Sequence, residues 1–464
     1  MATDRQGLAY TGSDEAVAHF DAAVHGLLYF REELLTESKA ALEADPTAPM
    51  PQVFAAYLGL MGTEPDDAAA ARAAFDAYTA SADQDAFLPA ERLHLHAARI
   101  WLDGDIHGAG AVLAGAGPRD VLALAVGHQI DFLTGDARSL RDRVGGVLTS
   151  WSADDEHFGP VLGMYGFGLE EAGHYDRSEE VALRSVELNP SDVWAVHAVA
   201  HTHEMRGRFA EGRRFYDARV GDWGTGNFLA VHNWWHYAVF ALESGDTARA
   251  LEIYDASIAV GSTAMELLDG SALLWRLLLL GDTGQQARWT ALADAWEPKV
   301  AVPHYAFNDV HAIMAYLGAG RISAASDLIE ARSRWLAEPH PGVGNHAMTA
   351  DIGLPVARAL LAYASGEYAS VIALLAPIRH RINEFGGSHA QRDAVQKTLL
   401  EAALRGGDHD LARTLISERI GVRPCSPFNW LQQARLADAL GQAATATRAR
   451  SEAAVLSHRS PSVP

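Results

Sequence analysis

Ten glycines recur at near-regular intervals along this chain, each at the end of a short apolar segment. Successive glycines are 31 to 46 residues apart, and each is followed by a polar residue and a second segment of helical character. Glycine readily adopts the left-handed conformation that ends one helix and begins the turn to the next. A period of this length, with a helix on each side, is typical of a helical-hairpin solenoid. The ten positions are Gly104, Gly135, Gly173, Gly207, Gly245, Gly281, Gly320, Gly366, Gly407 and Gly441.

The segment 163–190 matches the tetratricopeptide pattern most fully. Small Gly166 lies in its first predicted helix, Gly173 and Tyr175 mark the turn, and small serines recur in the second predicted helix. Pro190 ends that helix because proline cannot continue it. Other units are longer or looser, which predicts irregular packing from repeat to repeat.

No strand pattern with turn signals recurs, so the sequence predicts an all-α fold. We expect a tetratricopeptide-like helical-hairpin solenoid, a right-handed superhelix of about ten irregular repeats. No linker-like stretch interrupts the pattern, so residues 1–464 are expected to form a single solenoid domain. The two ends, 1–12 and 457–464, are expected to be frayed tails.

The charge balance restricts the partners of this chain. It has 59 acidic and 37 basic side chains, which give a net charge of −22. Such a surface repels phosphate backbones, and no basic run is long enough to offset the repulsion locally. Nucleic acid and membrane are therefore not expected as partners, whereas a homo-oligomer is compatible with the sequence.

Apolar residues make up 49% of the 464 positions, so a large core can be buried. The single cysteine, Cys425, excludes an intrachain disulfide and a cysteine-rich metal site. The N-terminus lacks the basic and apolar regions of a secretory signal, and the longest apolar runs are too short to cross a bilayer. A soluble, cytoplasmic protein is expected.

The strongest chemical signal lies between positions 194 and 236. His197, His201 and Glu204 are spaced i, i+4 and i+7, so a helix places all three on one face. His232 and His236 repeat the i, i+4 spacing. If Gly207 and Gly245 end their helices, the two clusters lie on the first helices of adjacent repeats, which line the concave side of a solenoid. The spacing therefore predicts four imidazoles and a carboxylate in one space.

Metal binding is the sharpest hypothesis for this cluster. Two histidines at i, i+4 can chelate one ion, and His197, His201, His232 and His236 are the candidate ligands. Three protein ligands would leave an open position where the ion acidifies a water molecule. Zinc, iron or manganese are the candidate ions. The sequence lacks H-E-x-x-H, so a zincin is not predicted.

Two alternatives remain open at this stage. Neutral histidines beside carboxylates could act as general acid and base without a metal, or the histidines could form a structural network that performs no chemistry. The tryptophans could equally be core side chains. The candidate catalytic residues are His201, Glu204, His236, Asp309 and His311. The candidate ligand-binding residues are Trp194, Asn233, Trp234, Trp235, Asn308, His389 and Arg392.

Several long phrases resemble the tetratricopeptide repeat protein 38 family. They include WAVHAVAHTHEMRGRFAEG, AVHNWWHYAVFALESGD, FNDVHAIMAYLGAGR and GGSHAQRD, and the resemblance extends over about 91–430. It implies an all-helical tetratricopeptide-like solenoid and a soluble protein, but it names no reaction. The polar residues inside these phrases are His197, His201, Glu204, His232, Asn233, His236, Asn308, Asp309, His311, His389 and Arg392.

We therefore expect a histidine-lined concave pocket for a small molecule, in an enzyme of hydrolase, lyase or isomerase type that a metal could assist. The rival hypothesis is an interaction scaffold that performs no catalysis. A peptide groove of that kind should be open and often basic, whereas this inner face is rich in histidine and tryptophan. Fold alone does not decide between the two.

Overall fold

The computed structural model describes residues 2–458, in which helical hairpins follow one another along the chain. All ten predicted turn glycines lie between paired helices and have positive φ, from 64° to 97°. The left-handed conformation that glycine favours is thus used at each of these turns. The prediction of an all-α helical-hairpin solenoid is confirmed.

Two strands form a small antiparallel ribbon, β1 (Ala2–Thr3) and β2 (Ala9–Tyr10). The helices of the first half are α1 (Asp14–Leu28), α2 (Glu33–Ala44), α3 (Pro49–Met61), α4 (Pro65–Ser81), α5 (Pro89–Leu102), α6 (Ile106–Leu113), α7 (Val121–Leu133), α8 (Ala137–Gly145), α9 (Phe158–Glu171), α10 (Tyr175–Leu188), α11 (Val193–Arg206), α12 (Phe209–Asp217) and α13 (Val220–Trp223).

The helices of the second half are α14 (Ala230–Glu243), α15 (Thr247–Ile253), α16 (Ala264–Leu279), α17 (Gln286–Trp296), α18 (Ala306–Gly318), α19 (Ile322–Leu336), α20 (Gly344–Met348), α21 (Leu354–Ala364), α22 (Tyr368–Leu375), α23 (His389–Gly406), α24 (His409–Val422), α25 (Pro427–Ala439) and α26 (Ala443–His458). Single turns of 3-10 helix occur at Gln84–Ala86, Leu148–Ser150, Glu297–Val300, Ala376–Ile378 and Ile382–Phe385, and π turns at Tyr254–Ile258 and Thr349–Gly353.

Two further hairpins precede the first glycine turn, and the glycine pattern did not reveal them. The turn between α1 and α2 has its left-handed residue at Phe30, with φ 55°, and the turn between α3 and α4 has it at Thr63, with φ 57°. Side chains rarely adopt this conformation, so glycine spacing cannot find such turns. The described chain thus contains more hairpins than the ten that were predicted.

Residues 2–12 contact the helices, whereas the sequence predicted a frayed tail at 1–12. Arg5 forms ion pairs with Asp21 at 2.8 Å and with Glu156 at 2.7 Å. The backbone nitrogen and the hydroxyl of Thr11 both donate to the Glu91 carboxylate, at 2.6 and 2.8 Å. These contacts attach the β1–β2 ribbon to the helices. Of the other predicted tail, 457–458 belong to α26, and 459–464 lie outside the described residues.

The best repeat, α9 with α10, shows why small residues recur at its contact. A Cβ atom on Gly166 would lie only 3.1 Å from the Cβ of Ala182. The hydroxyl of Ser178 donates to the Gly166 carbonyl at 2.6 Å, and that of Ser185 donates to the Gly159 carbonyl at 2.7 Å. The two helices therefore approach closely while their buried hydroxyls stay satisfied.

The superhelix is tightly wound, so distant repeats touch one another. The Tyr305 hydroxyl donates to the Leu133 carbonyl at 3.0 Å, and the Asn383 amide donates to the Gly135 carbonyl at 3.0 Å. These bonds join residues about 170 and 250 positions apart. The first helices of the central repeats are covered as a result, and α11 is buried from Val193 through Met205. The inner wall is a packed interior and not an open groove.

Gly135→Ala is expected to destabilise the protein more than Gly245→Ala. Both glycines have positive φ, so each alanine adds backbone strain of about 1–2 kcal/mol. A Cβ at position 135 would also overlap the Asn383 carbonyl oxygen, whereas nothing lies within 4 Å of a Cβ at position 245. The overlap should cost a further ~1–3 kcal/mol. Urea denaturation followed by circular dichroism compares the two variants, and equal losses would show that the contact between distant repeats contributes nothing.

Candidate metal centre

Four histidines converge in the centre of the solenoid, as their spacing predicts. His197 and His201 come from α11, His232 and His236 from α14, and one nitrogen of each lies within 4.8 Å of the others. The Nε2 atoms of His197 and His232 are 3.1 Å apart. His201 and His236 are completely buried, and 17% of the His232 side chain is exposed to solvent. The cluster is thus an interior site with one edge at the surface.

Three of these imidazoles face a buried carboxylate through Nδ1. His232 Nδ1 lies 2.9 Å from both Asp269 oxygens, and His236 Nδ1 lies 2.9 Å from Glu204. His201 Nδ1 lies 3.3 Å from Glu170, which belongs to α9. An ionised carboxylate can only accept, so the hydrogen bonds of His232 and His236 place their protons on Nδ1, whereas His201 Nδ1 approaches Glu170 without a hydrogen bond. The Nε2 atoms of His201 and His236 then have no partner, while His232 Nε2 faces His197 Nε2.

The free nitrogens have no partner among the described residues. His201 Nε2, His236 Nε2 and His197 Nδ1 are all buried without a hydrogen bond. Buried polar atoms are normally satisfied, and an exception in a protein interior indicates a missing ion or water. The donor set is therefore chemically suited to a metal ion that prefers imidazole nitrogen.

Burial dominates the electrostatics of the cluster. Desolvation, together with the charge of neighbouring imidazoles, holds the pKa of His197 and His236 well below the ordinary value, so both rings are neutral. Burial also acts to lower the pKa of His201, but the Glu170 carboxylate outweighs it and raises that pKa. Neutral imidazoles are the form that binds metals.

Imidazoles are the nearest counter-charges of the three carboxylates. No lysine or arginine of the described residues lies within 4.0 Å of Glu170, Glu204 or Asp269. Burial raises the pKa of Glu204 and of Asp269, although Arg423 and Arg276 act on Glu204 from farther away. A buried negative charge is costly unless a cation compensates for it. The site is therefore rich in carboxylates that have no directly paired guanidinium or ammonium group.

Glu204 contacts a different partner from the one its spacing indicated. It shares a face of α11 with His197 and His201, yet its carboxylate reaches across to His236 of α14. Asp269 of α16 pairs with His232, and the Arg276 guanidinium of the same helix donates to the Ala272 carbonyl at 2.8 Å and lies over Trp235.

Two of the three predicted tryptophans contact the histidine cluster. The Trp235 ring stacks on His232 with centroids 5.3 Å apart, and Trp194 lies 4.8 Å from His197. Phe30 stacks on the other side of Trp194 at 5.4 Å. Trp234 instead donates from Nε1 to the Gly224 carbonyl. Trp194 and Trp235 thus wall the cluster, while Trp234 belongs to a neighbouring loop contact.

Three further predicted residues make their contacts outside the histidine cluster. Asp309 forms a two-point ion pair with Arg332, at 2.7 and 2.8 Å, and Asn308 donates to the Thr63 carbonyl at 3.1 Å. His311 contacts the Phe307 carbonyl of its own helix at 2.8 Å. These contacts correct the expectation that Asn308, Asp309 and His311 belong to the histidine site. Helix α18 turns this part of its surface towards α19 and the N-terminal repeats.

Asn233, His389 and Arg392 lie outside the cluster as well. The Asn233 amide oxygen accepts from the Tyr216 hydroxyl at 2.8 Å. Arg392 pairs with Glu171 at 3.0 Å, and His389 Nδ1 lies 3.9 Å from Glu170. His389 therefore lies next to Glu170, the carboxylate that faces the candidate ligand His201.

Glu170 is the functional candidate that the sequence analysis missed. It lies in α9, three residues before the turn glycine Gly173, as Glu204 lies three residues before Gly207 in α11. Glu170 is fully buried, and burial opposes its ionisation, but His201 and His389 lower its pKa to about 2. The equivalent position relative to the turn was the available signal.

Asp309→Asn is expected to act on stability and not on the histidine cluster. It would leave the buried Arg332 guanidinium without its carboxylate, at a cost of about 3–5 kcal/mol. Asp294→Asn is the matched control, because the ion pair of Asp294 with Arg321 lies at the surface and should contribute less than ~1 kcal/mol. Thermal denaturation tests the difference. A stable Asp309→Asn protein with altered ligand binding would restore Asp309 as a site residue.

Comparison with known proteins gives no family assignment. No family model matches the chain. A monomeric mutant of IFIT1 with Gppp-AAAA is 11% identical, with 97% of this chain and 96% of that chain covered and a TM-score of 0.42. The human IFIT1 dimer with PPP-AAAA is 12% identical, with 98% and 96% covered and a TM-score of 0.40. Cut9 in the APC/C Cut9–Hcn1 hetero-tetramer is 11% identical, with 96% and 94% covered and a TM-score of 0.31.

At these identities the likeness concerns the fold alone. No helix of the described residues is long and apolar enough to cross a membrane. The hairpins, their left-handed turn glycines and the small residues at the α9–α10 contact define the architecture independently of any relative. The chain is a tetratricopeptide-like helical-hairpin solenoid.

Proposed function

We propose that this protein is a metal-dependent enzyme acting on a small molecule. Its centre would bind one divalent first-row ion, such as zinc, iron or manganese, through His197, His201, His232 and His236. The observation that carries the proposal is the set of three buried carboxylates, each facing an imidazole Nδ1. That arrangement supports metal binding more than it supports either alternative for the cluster.

Carboxylates behind histidine ligands are a recurrent feature of metal sites. They fix the ring orientation, keep the proton on Nδ1 and increase the basicity of Nε2. The separation of 3.1 Å between the Nε2 atoms of His197 and His232 also fits a shared ion. Two nitrogens bound tetrahedrally at about 2.0–2.1 Å would lie about 3.3 Å apart.

Charge supports the same reading. Glu170, Glu204 and Asp269 place three carboxylates in the interior without a guanidinium or ammonium group within 4.0 Å. A divalent ion bound by the imidazoles would stabilise the ionised form of these carboxylates.

An open coordination position is needed for catalysis. His197 has no carboxylate on Nδ1, so it would be the least supported of the four ligands. His232 provides the solvent-exposed edge, beside the Trp194 and Trp235 rings. A bound ion supplies Lewis acidity and lowers the pKa of a coordinated water, which suits hydrolase, lyase or isomerase chemistry. Acid–base chemistry without a metal is the alternative within the enzyme proposal.

The interior gives little support to a scaffold function, because contacts between distant repeats cover the inner helices. A small molecule is the partner that we propose for such a space. Membership of the tetratricopeptide repeat protein 38 family stays part of the proposal, carried by the phrases around His197 and His232. So do a cytoplasmic location and the absence of nucleic acid and membrane partners, carried by the net charge of −22.

Elemental analysis of the untagged protein is expected to find close to one equivalent of a transition metal per chain. His201→Ala and His236→Ala should each abolish it, because each removes a buried ligand. His203→Ala is the matched control, since His203 lies on the same helix but packs against Phe215, away from the cluster. Inductively coupled plasma mass spectrometry measures all four proteins after purification without chelator.

The outcomes separate the hypotheses. No metal in the wild type, even after reconstitution with zinc, iron and manganese, would contradict the metal centre. Metal retained in His201→Ala and His236→Ala would place the ion elsewhere. If metal is bound but the loaded protein hydrolyses no small ester or phosphate monoester and copurifies with one stoichiometric protein partner, the scaffold hypothesis takes precedence.

Glu204→Gln is expected to weaken metal binding by about 10–100-fold, because an amide supports the His236 ring less well than a carboxylate does. The metal-free protein should keep most of its stability, since the amide oxygen can still accept from His236 Nδ1 and no cation lies within 4.0 Å of Glu204. Glu179→Gln, at the half-exposed Arg208 pair, is the control. Competition with a chromophoric chelator measures affinity, and an unchanged affinity in Glu204→Gln would mean that this carboxylate does not support a ligand.

A further inference from the structure

A cavity of about 270 Å³ lies on the far side of His389 from the histidine cluster. Tyr175 and Met205 form one wall, and residues of α23 and α24 form the other. Apolar side chains, including Leu399 and Leu415, line part of it. The polar part is formed by Arg379, His380, His389, Asp393, Gln396, Glu418, Arg419 and Arg423.

Cationic groups outnumber carboxylates at close range beside this cavity. Asp393 lies within 4.0 Å of three cationic groups, at 2.6 Å from Arg419, 3.4 Å from Arg423 and 3.7 Å from Lys397. Lys397 has a second partner in Glu243. The two guanidinium groups therefore share a single carboxylate within 4.0 Å, and Glu204 and Glu243 act on Arg423 only from farther away.

Arg423 is the least satisfied of these groups. Only 7% of its side chain is exposed, so water cannot fully replace missing partners. Its Nη2 donates to the sulfur of Met205 at 2.8 Å, and a thioether is a weak acceptor. Its contact with Asp393 is longer than a normal charge-assisted hydrogen bond. Arg419, by contrast, is paired with Asp393 and with the Asn429 amide oxygen at 3.0 Å.

We propose that this cavity is a binding site for a small molecule bearing a carboxylate or phosphate group, which pairs with Arg423. A planar guanidinium matches either oxyanion geometry. The volume limits the ligand to a small metabolite, and the apolar wall takes its uncharged part. His389 and His380 line the same space and add hydrogen-bond donors for the anion.

The anion site and the metal centre use different residues. None of the four histidines of the cluster lines this cavity, and His389, which does, lies 3.9 Å from Glu170. Anion binding by calorimetry and metal content by elemental analysis are therefore separate measurements, and each proposal can fail without the other.

Isothermal titration calorimetry with inorganic phosphate and with malonate tests the site on the full chain at constant ionic strength. Saturable binding is expected for at least one anion and not for glycerol. Arg423→Gln should raise Kd about tenfold or more, because it removes a charge-assisted contact while Asp393 keeps Arg419 and Lys397. Arg413→Gln is the control, on the exposed side of α24, and should leave Kd unchanged.

Comparing the two anions identifies the chemistry of the ligand. Tighter binding of phosphate indicates a phosphorylated metabolite, and tighter binding of malonate indicates a carboxylic acid. If Arg423→Gln does not fold, Arg419→Gln takes its place and should also raise Kd. The proposal is overturned if neither anion binds up to tens of millimolar, or if Arg423→Gln and Arg413→Gln bind alike.

Discussion

The contacts between distant repeats determine what kind of site this solenoid can hold. In an extended array each repeat contacts only its neighbours, and the inner helices face solvent. Here the Tyr305–Leu133 and Asn383–Gly135 hydrogen bonds bring the second half of the chain against the first. Water is thereby excluded from α11, α14 and α16, and every polar group on their inner faces needs a partner within the protein or a bound ion.

The buried charges meet this requirement in two different ways. Two-point ion pairs join Asp309 to Arg332 and Asp131 to Arg143, so each carboxylate is neutralised by its own guanidinium. Glu204, by contrast, faces an imidazole whose second nitrogen has no partner. The first arrangement pairs each charge directly, which is why it fits a structural role. The second leaves an imidazole nitrogen directed at the centre, where we propose that the metal ion binds.

The architecture followed from the sequence because its signals are local. A left-handed turn favours glycine at one position, and two histidines at i, i+4 share a helix face in any context. Glycine spacing did not predict the hairpins at Phe30 and Thr63, because these two residues adopt the left-handed conformation in place of glycine. The side-chain pairs between neighbouring helices were harder to predict from the sequence. Glu204 reaches His236, and Asp269 reaches His232, since the register of neighbouring helices decides which side chains meet.

Residues remote in sequence were the least predictable. Asp309 resembled a site residue by type and position, yet its side chain lies on a helix face that is turned towards Arg332. Glu170 was overlooked although it occupies the same place before its turn glycine as Glu204 does. Comparing equivalent positions across repeats would have found Glu170, whereas no local pattern would have excluded Asp309. In a repeat protein, position within the unit is thus better evidence for a site than residue type alone.

The distribution of the centre over successive repeats has a physical consequence. The proposed ligands come from α11 and α14, and the carboxylates behind them from α9, α11 and α16. Four consecutive hairpins must therefore be in register before the nitrogens converge. Because binding requires the folded arrangement, the free energy of metal binding would add to the stability of the interfaces between these repeats. The same ion would then serve as reagent and as the group that holds the most polar part of the interior together.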